Sequence, residues 1–247
     1  MVRGVANGSI VHRDNRPMTY TYDSGHMLRI PQHLANMELD ALVEWHEQTV
    51  RHFGNRVRDL DKRNDTHPDA YWDEDLGGGM TRGELAAEQR NELLGFAELS
   101  DEFGIVTAWA ILERFLFQLF KDIKHFNLLV SPDTAKKKSL DFKGYRAMLR
   151  EIGVDIAASP VQYRQLLKLR AIRVTLTHYG GWVTYENEKE MRPYGFKLDQ
   201  RIELPDHYFT ESVGLIRGSC KQIMDLCIPV LKAHITTKRV KRRLKQV

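Results

Sequence analysis

Apolar residues recur along most of this chain at helical spacing, and that pattern organises the reading of the rest. From Asn36 to about Arg63, Leu39, Val43, His46, Val50, Phe53, Val57 and Leu60 alternate four and three apart, a heptad seam over three repeats. Three heptads with Gly54 in the middle suit packing within the chain better than a coiled-coil dimer, and His46 on the seam suits a hydrogen-bonded core histidine. Thr81 followed by Glu84 has the form of a capping box and predicts a second helix to about Leu99. The next helix, near residues 103–126, is the most apolar. Val106, Trp109, Ala110, Leu112, Phe115, Leu116, Leu119, Phe120 and Ile123 cover more than half its circumference, which predicts a central position. Glu113 inside it needs a partner, since an unpaired buried carboxylate protonates.

Further helices are predicted over 140–152, carrying Phe142, Tyr145, Met148 and Leu149, and from Pro160 to Tyr179 with a stripe of Leu169, Ile172 and Leu176. Gly180 and Gly181 stop the latter, which leaves His178 in its last turn. Trp182 to Tyr185 reads as a short strand, and the alternation of Phe196, Leu198, Ile202 and Leu204 as a small β-hairpin. A last helix runs from Asp206 to about His234 through Leu215, Ile216, Ile223, Leu226 and Val230. Between the first two helices, residues 64–80 form a loop around Pro68 and Gly77 to Gly79. No strand precedes that triple glycine and no Gly-Lys-Ser/Thr follows, which argues against a phosphate loop. Residues 1–35 read as an arm, with Pro17 and Pro31 breaking any helix and Thr19 to Tyr22 strand-like.

The resulting plan is an N-terminal arm at 1–35, an N-terminal helical region at 36–98, a helical bundle at 99–234 and a basic tail at 235–247. Composition fits a globular chain of 247 residues, 42% hydrophobic and 28% charged. Neither a signal peptide nor an unbroken apolar run of membrane-spanning length is evident, so a cytoplasmic protein with no membrane association is expected. Cys220 and Cys227, two helical turns apart, cannot bridge to each other while their helix stands, and read as two buried thiols. No zinc-ligand spacing occurs, and neither a metal nor another cofactor is expected.

Charge adds one feature. Lys238, Arg239, Lys241, Arg242, Arg243 and Lys245 crowd the C-terminus, where they serve either as a nucleic-acid-binding run or as a solvated tail.

Two polar residues stand apart from the core pattern. Arg173 and His178 lie five residues apart, so on one helix they point about 140° away from each other and converge only across a cleft or a two-fold axis. The stretch Arg173-Val-Thr-Leu-Thr-His178, followed by Tyr-Gly-Gly and preceded by Leu-Lys-Leu-Arg-Ala-Ile, resembles the HEPN superfamily of small α-helical proteins. The upstream helix with its internal Glu113 adds to the likeness, which covers roughly residues 99–231. Arg201 and His207, with five residues between them where Arg173 and His178 have four, also fit the family's pattern of an Arg, four to six residues and then a His, but they span Pro205 in an alternating run without the helical context.

The resemblance implies an all-α fold, a helical bundle of HEPN type with a small β-hairpin insertion and a long N-terminal helix. It implies a metal-independent endoribonuclease of the toxin or defence kind, acting as a homodimer on RNA and held in check by an antitoxin protein. His178 would be the acid/base group and Arg173 the phosphate clamp, with Arg170, Thr177 and Glu113 supporting. Where active members commonly carry a polar residue after the arginine, this chain has Val174. A catalytically inactive module binding RNA, nucleotide or a protein partner is therefore the alternative.

Overall fold

A computed structural model describes residues 28–129 and 131–244, with the side chains of residues 70 and 237–244 excepted. The expected strand-like run at 19–22 lies outside the described residues.

Two long helices form the frame. Helix α1 spans Ile30–Asn64. It starts six residues earlier than the pattern predicts because Pro31 sits in its first turn, where the missing N–H costs nothing, and so begins the helix instead of breaking it. A one-turn helix α2, Asp69–Trp72, and a turn through Gly77 to Gly79, all at positive φ, lead to α3, Arg82–His125. The capping box forms as predicted: Glu84 N–H donates to Thr81 Oγ1 at 3.2 Å, and Thr81 N–H donates to Glu84 Oε2 at 2.8 Å. The two helices expected on either side of residues 100–102 are one. No glycine or proline interrupts Leu99-Ser-Asp-Glu-Phe103, and Ser100 donates its hydroxyl back to Phe96 O at 2.9 Å instead of capping a new helix.

The boundary expected between residues 98 and 99 falls inside α3. By length and composition α3 could cross a membrane, yet 56% of its most apolar stretch is buried within the fold. Helix α4 (Pro132–Lys136) is short, and α5 (Phe142–Glu151) buries Phe142, Tyr145, Met148 and Leu149, the four residues its pattern singles out. A 3₁₀ turn at Ile156–Ala158 precedes α6, Pro160–Tyr179.

The predicted strand at 182–185 and the hairpin after it are a correction. The described residues contain no strand. A single antiparallel bridge joins Trp182 to Arg201, flanked by Val183 N–H to Gln200 O and Asp199 N–H to Val183 O, both at 2.8 Å. Between the two arms the chain makes α7 (Glu188–Met191) and a 3₁₀ turn (Arg192–Tyr194). The alternating apolar positions there are spent on the bundle: Ile202 is buried and Phe196 and Leu204 pack against the core.

Helix α8, Tyr208–Leu244, runs about ten residues past its expected end, with Pro229 inside it, so the backbone of the basic segment continues the helix up to Leu244. Ile216 and Ile223 are buried as predicted, but Leu226 is exposed. One contiguous apolar core joins α1, α3, α5, α6 and α8, running from Leu28 to Leu231. The heptad seam of α1 is spent within the chain, with Leu39 and Val57 buried and Val50 left exposed. His46 sits between three helices: its Nε2 lies 2.5 Å from Asp101 Oδ1 of α3, and its ring stacks at 4.0 Å on Phe209 of α8. Gly104 of α3 allows that stack, since a Cβ there would meet Phe209 at 2.6 Å.

Candidate functional site

Helix α6 positions every candidate residue of the Arg/His motif. Proline at its first turn presets the start, and Leu166, Leu169, Ala171, Ile172 and Thr175 bury its inner face. Leu176, expected on the stripe, is half-buried. Gly180 ends the helix in the left-handed region at φ 58, where a residue with a Cβ is strained, and Gly181 N–H closes the last turn onto Thr175 O at 3.1 Å.

A buried asparagine pins the turn that follows. Asn187 is buried, and its Oδ1 accepts from Thr184 N–H at 2.7 Å. Its Nδ2 donates to Thr175 Oγ1 at 3.2 Å and to Trp182 O at 3.1 Å. Thr175 is fully buried, so its hydroxyl depends on that amide. Only Thr184-Tyr-Glu-Asn187, a Thr followed three residues later by an amide that can bond back to its N–H as in a capping box, just after a glycine stop, hints at this role in the sequence.

His178 is exposed in the last turn of α6. Arg173 is half-buried and turns the other way, towards α3. Its Nη2 lies 4.0 Å from Glu113 Oε2, and Glu113 is itself oriented by Trp109, whose Nε1 donates to Glu113 Oε1 at 2.8 Å. The partner expected for Glu113 is thus present, at the outer limit of an ion pair. Meanwhile Arg173 Nε is buried with no hydrogen-bond partner among the described residues. The guanidinium is held loosely and keeps donor capacity unspent.

Within one chain the structure does not bring Arg173 and His178 together. Thr177, expected to support them, is exposed and spends its hydroxyl on Arg173 O at 2.8 Å. Arg170 is half-buried, and its charge, with that of Arg164, partly offsets the burial that raises the Tyr194 phenol pKa. The second Arg/His match dissolves: Arg201 pairs with Glu102 at 2.9 Å, and His207 with Glu211 at 3.4 Å. Of the basic run, Lys238, Arg239, Lys241, Arg242 and Arg243 lie on the α8 backbone with side chains outside the described set, and Lys245 lies outside the described residues altogether. Among the described residues no group of three His, Cys, Asp or Glu side chains could hold a metal ion.

No family model matches this chain, and neither the curated proteins nor the solved structures give a match.

Proposed function

We propose that this protein is a metal-independent endoribonuclease of HEPN type, with a composite Arg/His site completed between two copies of the chain. The observation that carries the reading is the state of Arg173. A half-buried guanidinium whose ion pair to Glu113 is 4.0 Å long has Nη donors to offer a phosphate. Five residues on, His178 is exposed and free to take or give a proton.

In this reaction the ribose 2′-oxygen attacks the adjacent phosphorus while His178 accepts the hydroxyl proton, and the bond to the 5′-oxygen of the next nucleotide breaks. The leaving oxygen takes up a proton, which leaves a 2′,3′-cyclic phosphate and a 5′-hydroxyl. Arg173 stabilises the charge building on the phosphorane oxygens. Because the two side chains diverge on α6, His178 of one copy serves the phosphate held by Arg173 of the other, which requires a homodimer. Glu113 and Trp109 orient Arg173, and the Asn187 turn holds the end of α6. A role in toxicity or defence, with a cognate antitoxin, fits this chemistry.

The second reading is a non-cleaving module of the same fold that binds RNA, nucleotide or a protein partner. It is favoured by Val174, half-buried beside Arg173, and by the Glu113 pair, which gives Arg173 a structural use. Cleavage of labelled RNA in excess EDTA, native chain against His178→Ala, separates the two.

A further inference from the structure

The N-terminal half of α6 borders a groove that the Arg/His motif does not use. One part of it, of about 400 Å³, is lined by Gln165, Lys168, Tyr208, Glu211, Ser212 and Leu215. A second part, of about 380 Å³, shares Gln165 and Lys168 and continues to Arg164, Val161, Pro193 and Tyr194. Each volume lies within the range that holds a small ligand.

The groove has a polarity. Lys168 and Arg164, one turn apart on α6, sit at its middle and towards one end respectively. Among the described residues neither pairs with a carboxylate. Lys168 Nζ instead stands 5.6 Å from the centroid of the Tyr208 ring and 5.9 Å from that of Phe196. Glu211, engaged with His207, marks the other end. Tyr208 is half-buried with its ring packed against the core, and burial pushes its phenol up to about 12. A cationic end thus adjoins an aromatic wall, with polar groups of Gln165 and Glu211 along the edge.

From this arrangement we propose that the groove is a binding site for a nucleoside phosphate unit, either free or within single-stranded RNA. The phosphate lies between Arg164 and Lys168, away from Glu211. The base lies against Tyr208 and Leu215, within reach of the Gln165 and Glu211 side chains at its edge. Resting on the nuclease reading, the groove supplies its substrate-holding subsite. Lys168 precedes His178 by ten residues, about 15 Å along the axis of α6 and about 80° around it, so a bound strand reaches the imidazole within a few nucleotides.

The test measures binding to the His178→Ala protein, which separates binding from cleavage, using AMP and a short oligoadenylate as probes. Two variants are compared in that background, Arg164→Glu with Lys168→Glu, and Lys168→Met, an uncharged side chain of similar length that separates lost charge from lost fold. The proposal expects affinity about tenfold or more weaker in the charge reversal and a smaller loss in Lys168→Met. If AMP suffices, the site takes free nucleotide; if only the oligonucleotide binds, it takes a strand. Absence of binding by both probes, or equal binding by parent and variants, overturns the proposal. A native chain that binds through the groove but cuts no RNA overturns the nuclease reading alone; cleavage with groove-independent binding overturns only the groove.

Discussion

Arg173 of α6 reaches Glu113 of α3 at 4.0 Å, while Trp109, one turn before Glu113, holds the other carboxylate oxygen at 2.8 Å. The pair ties the motif helix to the central helix without saturating the guanidinium. A long, half-exposed pair contributes little to stability, so Glu113→Gln should cost no more than about 1 kcal/mol in urea unfolding. RNA cleavage should fall several-fold more than that stability loss explains, because Arg173 loses its orienting charge. A variant that unfolds easily but, where folded, cleaves at the native rate would assign Glu113 to structure only.

Asn187 makes three hydrogen bonds that fix the turn after α6. Asn187→Ala should destabilise the protein by about 1–3 kcal/mol, since the buried Thr175 hydroxyl and Thr184 N–H lose their partner. Hydrogen exchange should quicken first at residues 180–184. Unchanged exchange there would show that Gly180 and the Trp182–Arg201 bridge hold the turn unaided.

The core of α6 was legible in the sequence because its stripe and its glycine stop are both local signals. Leu169 and Ile172 are buried and Gly180 takes the left-handed conformation, as the pattern predicts. Less local features were not. Thr175 reads as a polar interruption of the stripe, yet tertiary contact with Asn187 buries it. Pro31 reads as a breaker unless it is known to occupy a first turn. The helices expected to 99 and from 103 are one because nothing between them breaks the backbone. Alternation at 196–204 reads as a hairpin, although the partner that buries those residues is the bundle and not a sheet. The Glu113–Arg173 pair was foreseeable as a need for a counter-charge; its length, and the unspent Nε, were not.

Gly104 of α3 lies directly against the Phe209 ring of α8. A methyl group placed there meets Phe209 at 2.6 Å, and Phe209 cannot retreat without leaving its stack on His46. Gly104→Ala should therefore destabilise by about 1–3 kcal/mol despite its better helix propensity. A gain in stability would mean that the ring moves freely.

Cys220 and Cys227 are buried, and burial pushes both thiols up to about 12 from an ordinary value of 9.0. The native protein should resist a thiol reagent at pH 9 and react fully only once unfolded. Because the folded values are raised, the thiols favour folding while the unfolded chain is also protonated. Their contribution falls as pH rises above about 9 and is lost towards 12. Rapid labelling of the folded protein at pH 9 would contradict the packing of α8.

The decisive measurement is incubation of the purified protein with end-labelled RNA in excess EDTA, comparing the native chain with His178→Ala and identifying the new ends. The account predicts 2′,3′-cyclic phosphate and 5′-hydroxyl ends from the native chain and a loss of about a hundredfold or more in the variant. RNA left intact by the native chain while it still binds, or cut equally by His178→Ala, would contradict it.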